Sequence, residues 1–255
     1  MDLFKGSVMT YTGFASLYDY LMADAPYAGW LDFVKESVQD QPLQGLKFID
    51  VGCGTGELLL LMLKQGMNGT GLDLSPEMLT IARAKSEEEG YSPLLIEADM
   101  TTLPELDEYD LVTVFCDSLN YLRSAEDVQL AFAGFVKQLK KGGLLLFDVH
   151  SEYKVNEEFV GQTFADADED VSYIWNSFSG EEPNSVEHEL SFFAKTESGL
   201  YERTDELHMQ KTFSVDQYCT WLERAGFKVE SVTADFTQNE PKSTSERIFF
   251  KAVKL

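Results

Sequence analysis

Residues 48–56 read Phe-Ile-Asp-Val-Gly-Cys-Gly-Thr-Gly, an apolar run that ends in three alternating glycines, and Asp73 closes the next strand-like run. Glycines 52, 54 and 56 lack a Cβ, so the chain can turn sharply there and bring its backbone close to a ligand. A carboxylate at the tip of the neighbouring strand, where Asp73 falls, can accept the hydroxyl hydrogens of a ribose. These residues describe a site for a nucleoside-bearing cofactor.

The glycine spacing separates the cofactors. A dinucleotide fingerprint, Gly-x-Gly-x-x-Gly, places a pyrophosphate on a helix N-terminus and counted from Gly52 requires glycine at 57; the chain has Glu57. An acid there repels a diphosphate but tolerates a sulfonium or an ammonium. The pattern Asp50-x-Gly-x-Gly-x-Gly, followed by Glu57 and then by Gly71-Leu-Asp73-Leu-Ser75, resembles the first two motifs of class I S-adenosylmethionine-dependent methyltransferases. Glu97-Ala-Asp99-Met100 resembles the third, in which the acid takes the adenine amino group. The resemblance implies S-adenosyl-L-methionine as cofactor, held by Asp50, Gly52, Cys53, Gly54, Gly56, Asp73, Leu74, Met78, Asp99, Met100 and Phe115. At the N-terminus, Tyr11-x-x-Phe14-Ala15-x-x-Tyr18-Asp19 resembles the opening of the bacterial YqeM-like methyltransferases and implies helices that cover the cofactor, with Tyr11 and Tyr18 against it. Trp175, Glu187-His188-Glu189-Leu190 and Glu206-Leu207-His208 extend that likeness along the chain. By fold analogy it also reaches glycine N-methyltransferase-like enzymes.

Candidates for the chemistry follow the later strands. Val114-Phe-Cys-Asp-Ser-Leu-Asn-Tyr121 ends a strand whose tip would face the transferred methyl. Asp117 or Asn120 could hold or deprotonate a nucleophile and Tyr121 could wall the site, although Asp117 and Ser118 could equally cap a helix. His150, at the end of the next strand, could act as a base near neutral pH. No Asn/Asp-Pro-Pro-Tyr follows Phe115, and Cys116 lacks a cysteine partner, so neither exocyclic-amine nor cysteine-mediated base methylation is indicated. His188 and His208 alternate with Leu190, Phe192 and Gln210 and face either a pocket or solvent. No metal-ligand spacing is present. Aromatics at 11, 18, 30, 121, 173 and 175 are candidates for a cage around a cation.

The elements that must position these residues follow from the hydrophobic rhythm. Apolar residues at helical spacing (Leu17, Leu21, then Trp30, Phe33, Val34) predict two helices broken at Ala25-Pro-Tyr27. Strands at 46–51, 69–73, 94–97, 110–116 and 143–149 alternate with helices at about 56–65, 76–89 and 125–140, which implies a parallel sheet. Ser75-Pro76 is a helix start, and Lys140-Lys141-Gly142-Gly143 reads as a helix end with cations at the negative pole of the dipole. Beyond His150 the pattern becomes two-residue alternation at 171–178, 186–195 and 200–212, an antiparallel meander. A helix at 214–225 and strands at 228–236 and 245–254 complete the sheet. The resulting expectation is an α/β, Rossmann-like, doubly wound sheet of seven strands with an antiparallel β insertion after the fifth. Three parts are expected: lid helices and the cofactor half (1–150), a substrate lid (151–212) and a C-terminal helix and hairpin (213–255).

Composition bounds the partners. The 255-residue chain has a formal net charge of −24 with no Lys/Arg-rich tract, which disfavours nucleic acid. Its three cysteines form no close pair, as suits a reducing cytoplasm. Neither a signal-peptide pattern nor a membrane-length apolar run is read. The acceptor is expected to be a small molecule with an N or O nucleophile, and a homodimer is compatible with the sequence. Three rival readings share the glycine turn: a cofactor-binding regulatory protein without turnover, an RNA methyltransferase, and an NAD-dependent dehydrogenase.

Overall fold

A computed structural model describes residues 14–38, 41–106, 108–196 and 198–255; Tyr11 lies outside them. The described residues begin with α1 (Phe14–Leu21) and α2 (Tyr27–Ser37). The chain then alternates β1 (Lys47–Val51), α3 (Glu57–Lys64), β2 (Asn68–Asp73), α4 (Pro76–Glu88), β3 (Leu94–Glu97), β4 (Tyr109–Val114), α5 (Ala125–Gln138) and β5 (Leu139–His150). After β5 come β6 (Thr163–Ala167), β7 (Val171–Ser179), β8 (Ser185–Lys195) and β9 (Tyr201–Lys211), and the chain closes with α6 (Val215–Ala225), β10 (Phe227–Ala234) and β11 (Arg247–Lys254).

Seven of these strands form one sheet in the order β10-β11-β5-β4-β1-β2-β3. β11 runs antiparallel between β10 and β5, while the other neighbours are parallel. Alternate residues of each strand face opposite helical layers. Ile49 joins Phe132, Phe135, Tyr218 and Phe250 on the α5/α6 side, whereas Phe48 joins Trp30, Val34, Leu59, Met62 and Phe249 on the α2/α3 side. Phe147 and Phe250 pair across β5 and β11 and stack at 4.5 Å. Burying each such side chain contributes about 1.5–3 kcal/mol.

The helix boundaries follow local chemistry. Ser75 caps α4 by accepting the Met78 N–H at 3.2 Å, with Pro76 in the first helical position. Ser214 and Gln217 form a capping box on α6, which Gly226 ends in the left-handed region. One expectation is corrected: α5 ends at Gln138, and Leu139 through Gly143 already belong to β5. Lys140 therefore pairs with Asp110 of β4 at 2.6 Å rather than with the helix dipole.

The remaining strands build a second sheet, β6-β7-β8-β9, antiparallel throughout. One of its faces packs on α1 through Val171, Leu190 and Phe192 around Leu17, and on a π-helical turn, Lys154–Phe159, through Val186. β6 escaped the sequence because every residue of Thr163–Ala167 is exposed and no alternation marks it. Among the described residues no helix is long and apolar enough to cross a membrane.

Candidate active site

The glycine turn stands at the carboxyl edge of the main sheet, between β1 and α3. Gly52, Gly54 and Gly56 have φ of 72°, 53° and 81°. A Cβ on Gly52 would come within 2.7 Å of Ser118, and one on Gly56 within 3.0 Å of Ala82. The Asp73 carboxylate holds the turn from the side, accepting the Gly54 N–H at 2.8 Å and the Ser75 N–H at 2.9 Å, one on each oxygen. Each oxygen keeps a lone pair for a ribose hydroxyl.

At one end of the crevice Leu74 is 68% exposed, and Asp99 accepts the Thr101 N–H and hydroxyl on Oδ1, which leaves Oδ2 for an exocyclic amine. Met100 reaches within 3.9 Å of where a Gly52 Cβ would stand. Met78 lies at the capped start of α4, behind Ser75. Toward the other end a small hollow is lined by Tyr18, Tyr27, Asp50, Cys53, Phe115 and Cys116. Asp50 is 3% exposed and accepts the Thr113 hydroxyl at 2.7 Å. Burial pushes its carboxyl up to about 7, against the Thr113 hydrogen bond and with help from the Asp73 charge. A buried acid of this kind beneath the turn is suited to a cationic ligand. These features fit the ribose, adenine and charged amino-acid portions of S-adenosylmethionine.

Glu57 opens α3, and its carboxylate meets Lys85 at 2.8 Å. That cation weakens the repulsion of a diphosphate expected from the sequence, so the missing glycine is the stronger argument against a dinucleotide. Lys85 also meets Asp19 of α1 at 2.8 Å, and Asp19 accepts the Thr55 hydroxyl at 2.6 Å. One ionic cluster thus fastens α1 to the glycine turn. A wider depression lined by Lys47, Asn68, Tyr91 and Tyr109 lies at the opposite, amino-terminal edge of the strands, away from where open α/β sheets bind ligands.

The tip of β4 is the most polar part of the crevice. Cys116 and Asp117 both adopt left-handed backbone, φ 54° and 51°. Such non-glycine strain collects at functional sites. Asp117 starts the short helix Ser118–Tyr121 without capping it through its side chain. Its carboxylate instead meets His150 Nε2 at 3.3 Å, Arg247 Nη2 at 3.1 Å and Gln210 Nε2 at 2.7 Å. Burial opposes the charge on Asp117, but His150, Arg247 and Gln210 outweigh it and hold the carboxyl well below the usual range. Arg247 also pairs with fully buried Asp148, and its guanidinium lies 5.1 Å above the Trp30 ring. Burial nonetheless raises the Asp148 carboxyl, and Arg247 only partly offsets this.

The second sheet covers this cluster with the side chains of its inner face. Asn120 joins core and cover, accepting the His150 N–H at 2.9 Å and donating to the Lys211 carbonyl at 2.8 Å. Tyr121 Oη lies 3.1 Å from His208 Nδ1, and His188 and His208 stand directly opposite each other on β8 and β9. All three histidines of the chain therefore gather in one cluster under the second sheet, with Asp117, Tyr121 and Gln210 among them. Of the aromatic set, Trp30 is core at 1% exposure and Tyr173 packs among Leu17, Phe192 and Ala194. The described aromatics thus supply no six-ring cage: Tyr18 lines the hollow at the glycine turn, and Tyr121 and Trp175 contact His208 and His188.

Arg247, Asp148 and Gln210 were not anticipated. The sequence signal for Arg247 is one cation opening the apolar run Ile248-Phe249-Phe250; Gln210 shares the two-residue phase of His208.

A seven-stranded sheet with this edge order and this crevice defines a class I S-adenosylmethionine-dependent methyltransferase. The family model described as "Methyltransferase domain" matches residues 48–143. The chain is 49% identical to a protein of Geobacillus sp. (strain WCH70) that bears the name of a methyltransferase, over 96% of this chain and 100% of that one. It is 46% identical to YqeM of Bacillus subtilis (strain 168), over 96% of this chain and 98% of that one. The chain belongs to this YqeM-like family of methyltransferases. A solved S-adenosylmethionine-dependent methyltransferase from Clostridium acetobutylicum ATCC 824 superposes with a TM-score of 0.85 at 29% identity, covering 94% of this chain and 97% of that one. A more distant relative, the dTDP-3-amino-3,4,6-trideoxy-alpha-D-glucopyranose N,N-dimethyltransferase of Streptomyces venezuelae, is 25% identical over 85% of this chain and 90% of that one.

Proposed function

We propose that the protein methylates an amine or hydroxyl of a small molecule held between the main sheet and a lid formed by residues 151–212. In this reading His150, supported by ionised Asp117, receives the acceptor's proton. The observation that carries it is the convergence of His150, His188 and His208 with ionised Asp117 at the tip of β4, under the second sheet. The second sheet over the tip of β4, the net charge of −24 and the amino-sugar relative all favour a small acceptor over a polyanion.

When bound, S-adenosylmethionine supplies a methyl group on a sulfonium, whose leaving group is a neutral thioether. The protein's task is then alignment, with the nucleophile about 3 Å from the methyl carbon, and exclusion of water. Gly52, Gly54, Gly56, Asp73 and Asp99 would hold the cofactor, and the Asp50 carboxylate would offset its positive charge. His150 donates Nε2–H to Asp117, so the lone pair on Nδ1 takes a proton from the acceptor. Asp117 stabilises the imidazolium, the role of the carboxylate in hydrolase triads. Tyr121, held by His208 at 3.1 Å, walls the acceptor.

The test is release of S-adenosylhomocysteine with a library of small amines and alcohols, for wild type and His150→Gln. Turnover of a small acceptor that falls about 10²- to 10⁴-fold in the variant, with cofactor affinity kept within twofold, is the expected outcome. Equal turnover in the variant, or turnover on RNA alone, would contradict it.

A further inference from the structure

The proton transfer proposed above depends on where His150 stands, and His150 lies beyond the end of one neighbouring strand. β11 runs alongside it as far as Arg247, but β4 stops at Val114, opposite Phe147, so on that side the His150 backbone meets no strand. The residue is buried, and a buried N–H or carbonyl left unpaired is costly. Side chains take the place of the missing ladder. Asn120 Oδ1 accepts the His150 N–H at 2.9 Å, and the Thr212 hydroxyl donates to the His150 carbonyl at 2.6 Å.

Both contacts lead to one stretch of chain. Asn120 Nδ2 donates to the Lys211 carbonyl at 2.8 Å, and the residue before it, Gln210, donates Nε2–H to Asp117 at 2.7 Å. Gln210, Lys211 and Thr212 therefore reach, in succession, the carboxylate that supports His150, the side chain that holds its N–H, and its carbonyl. Asn120, Gln210 and Thr212 are all buried, so removing one partner leaves the other unsatisfied. The stretch is itself fixed on both sides. Gln210 and Lys211 pair with Val186 and Ser185 of β8, the Thr212 N–H donates to the Asn184 carbonyl at 2.9 Å, and Phe213 enters the core against Tyr218 and Trp221.

We propose that residues 210–212, where β9 returns to the core, are a positioning clamp for methyl transfer: Gln210 acts through Asp117, and Thr212 through His150, to set the place from which the imidazole takes the acceptor's proton. This rests on the reading above, in which His150 is the base. A base displaced by about 1 Å can cost about 10²-fold in rate, so two hydrogen bonds that touch no reacting atom still govern turnover. Because the clamp is continuous with β9, the seating of the second sheet on the tip of β4 and the placement of the base are one event.

The experiment follows S-adenosylhomocysteine release from a panel of small amines and alcohols, 2-aminocyclohexanol and 1-amino-2-propanol among them. The proteins are wild type, Thr212→Val, Thr212→Ser, Gln210→Met, His150→Gln, and Gln210→Met combined with His150→Gln. Thr212→Val keeps nearly the same shape without the hydroxyl, and Gln210→Met keeps the length without the donor. Each is expected to lower kcat by about tenfold or more, with the acceptor KM and the calorimetric affinity for S-adenosylmethionine within about threefold of wild type. Thr212→Ser, which keeps the hydroxyl, should retain at least about a third of the wild-type kcat. In the His150→Gln background Gln210→Met should cost less than about twofold more, because the clamp then has no base to place. Cofactor affinity reports that each variant is folded, and Gln210→Met carries the test if Thr212→Val is not. Wild-type kcat in both variants, equal losses in Thr212→Ser and Thr212→Val, or a full further loss on top of His150→Gln overturns the clamp and leaves the methyl-transfer reading standing. No turnover of any panel member by cofactor-loaded wild type overturns the small-molecule reading and the clamp with it.

Discussion

Asp117 joins three groups from three strands, His150, Gln210 and Arg247, and its substitution separates chemistry from folding. Asn tolerates left-handed backbone, so Asp117→Asn keeps the turn but loses the charge that serves His150 and Arg247. Activity is expected to fall at least tenfold, with a stability loss of about 1–3 kcal/mol by chemical denaturation. Full activity in the variant would remove Asp117 from the mechanism. The native carboxyl is depressed, so its contribution to stability is complete above the ordinary carboxylate pKa, about 4, and is lost as pH falls from there. Asp50 behaves oppositely. Its pKa is raised to about 7, so its burial costs stability progressively as pH rises from about 4 to 7, while the carboxylate formed near 7 attracts a cationic cofactor. Affinity for S-adenosylmethionine should therefore improve severalfold from pH 6 to pH 8, a trend that Asp50→Asn should flatten. An unchanged pH dependence in that variant would contradict the assignment. At this scale the sequence showed the glycines, Asp73 and Asp99 because their spacing is local. Arg247 and Gln210 reach Asp117 across separations of 130 and 93 residues, which no local pattern records.

Elements carry the coupling between cofactor and cover. α1 faces two ways: Leu17 packs into the second sheet, while Asp19 binds Thr55 and Lys85 beside the glycine turn. Because Asp19 is about a third exposed, with a side-chain accessibility of 31%, Asp19→Asn should cost no more than about 1 kcal/mol of stability. It should still weaken cofactor binding severalfold by loosening the helix, as stopped-flow release would show. An unaltered release rate would mean that α1 does not gate the site. The parallel strands and their helices were legible because apolar runs, caps and glycine stops agree with one another. The end of α5 was misread because Lys140 and Lys141 resemble a helix terminus, while their neighbours Leu139 and Leu144 to Phe147 already belong to a buried strand. β6 was invisible for lack of a buried face.

At the scale of the molecule, two sheets divide the labour. The seven-stranded sheet presents the glycine turn, Asp73 and Asp99 at its carboxyl edge, and the four-stranded sheet brings His188, His208 and Gln210 over the tip of β4. An acidic chain of this kind gains little from phosphate contacts, consistent with an acceptor enclosed rather than laid along a surface. On the reading above, one crevice, anchored on Asp73, holds S-adenosylmethionine. Calorimetric titration of wild type and Asp73→Ala with S-adenosylmethionine, and separately with NAD, tests it directly. Micromolar binding of the sulfonium cofactor is expected, weakened at least tenfold, or about 1.4 kcal/mol, by the substitution, with no binding of NAD. Equal affinity in the two proteins, or binding of NAD alone, would contradict it.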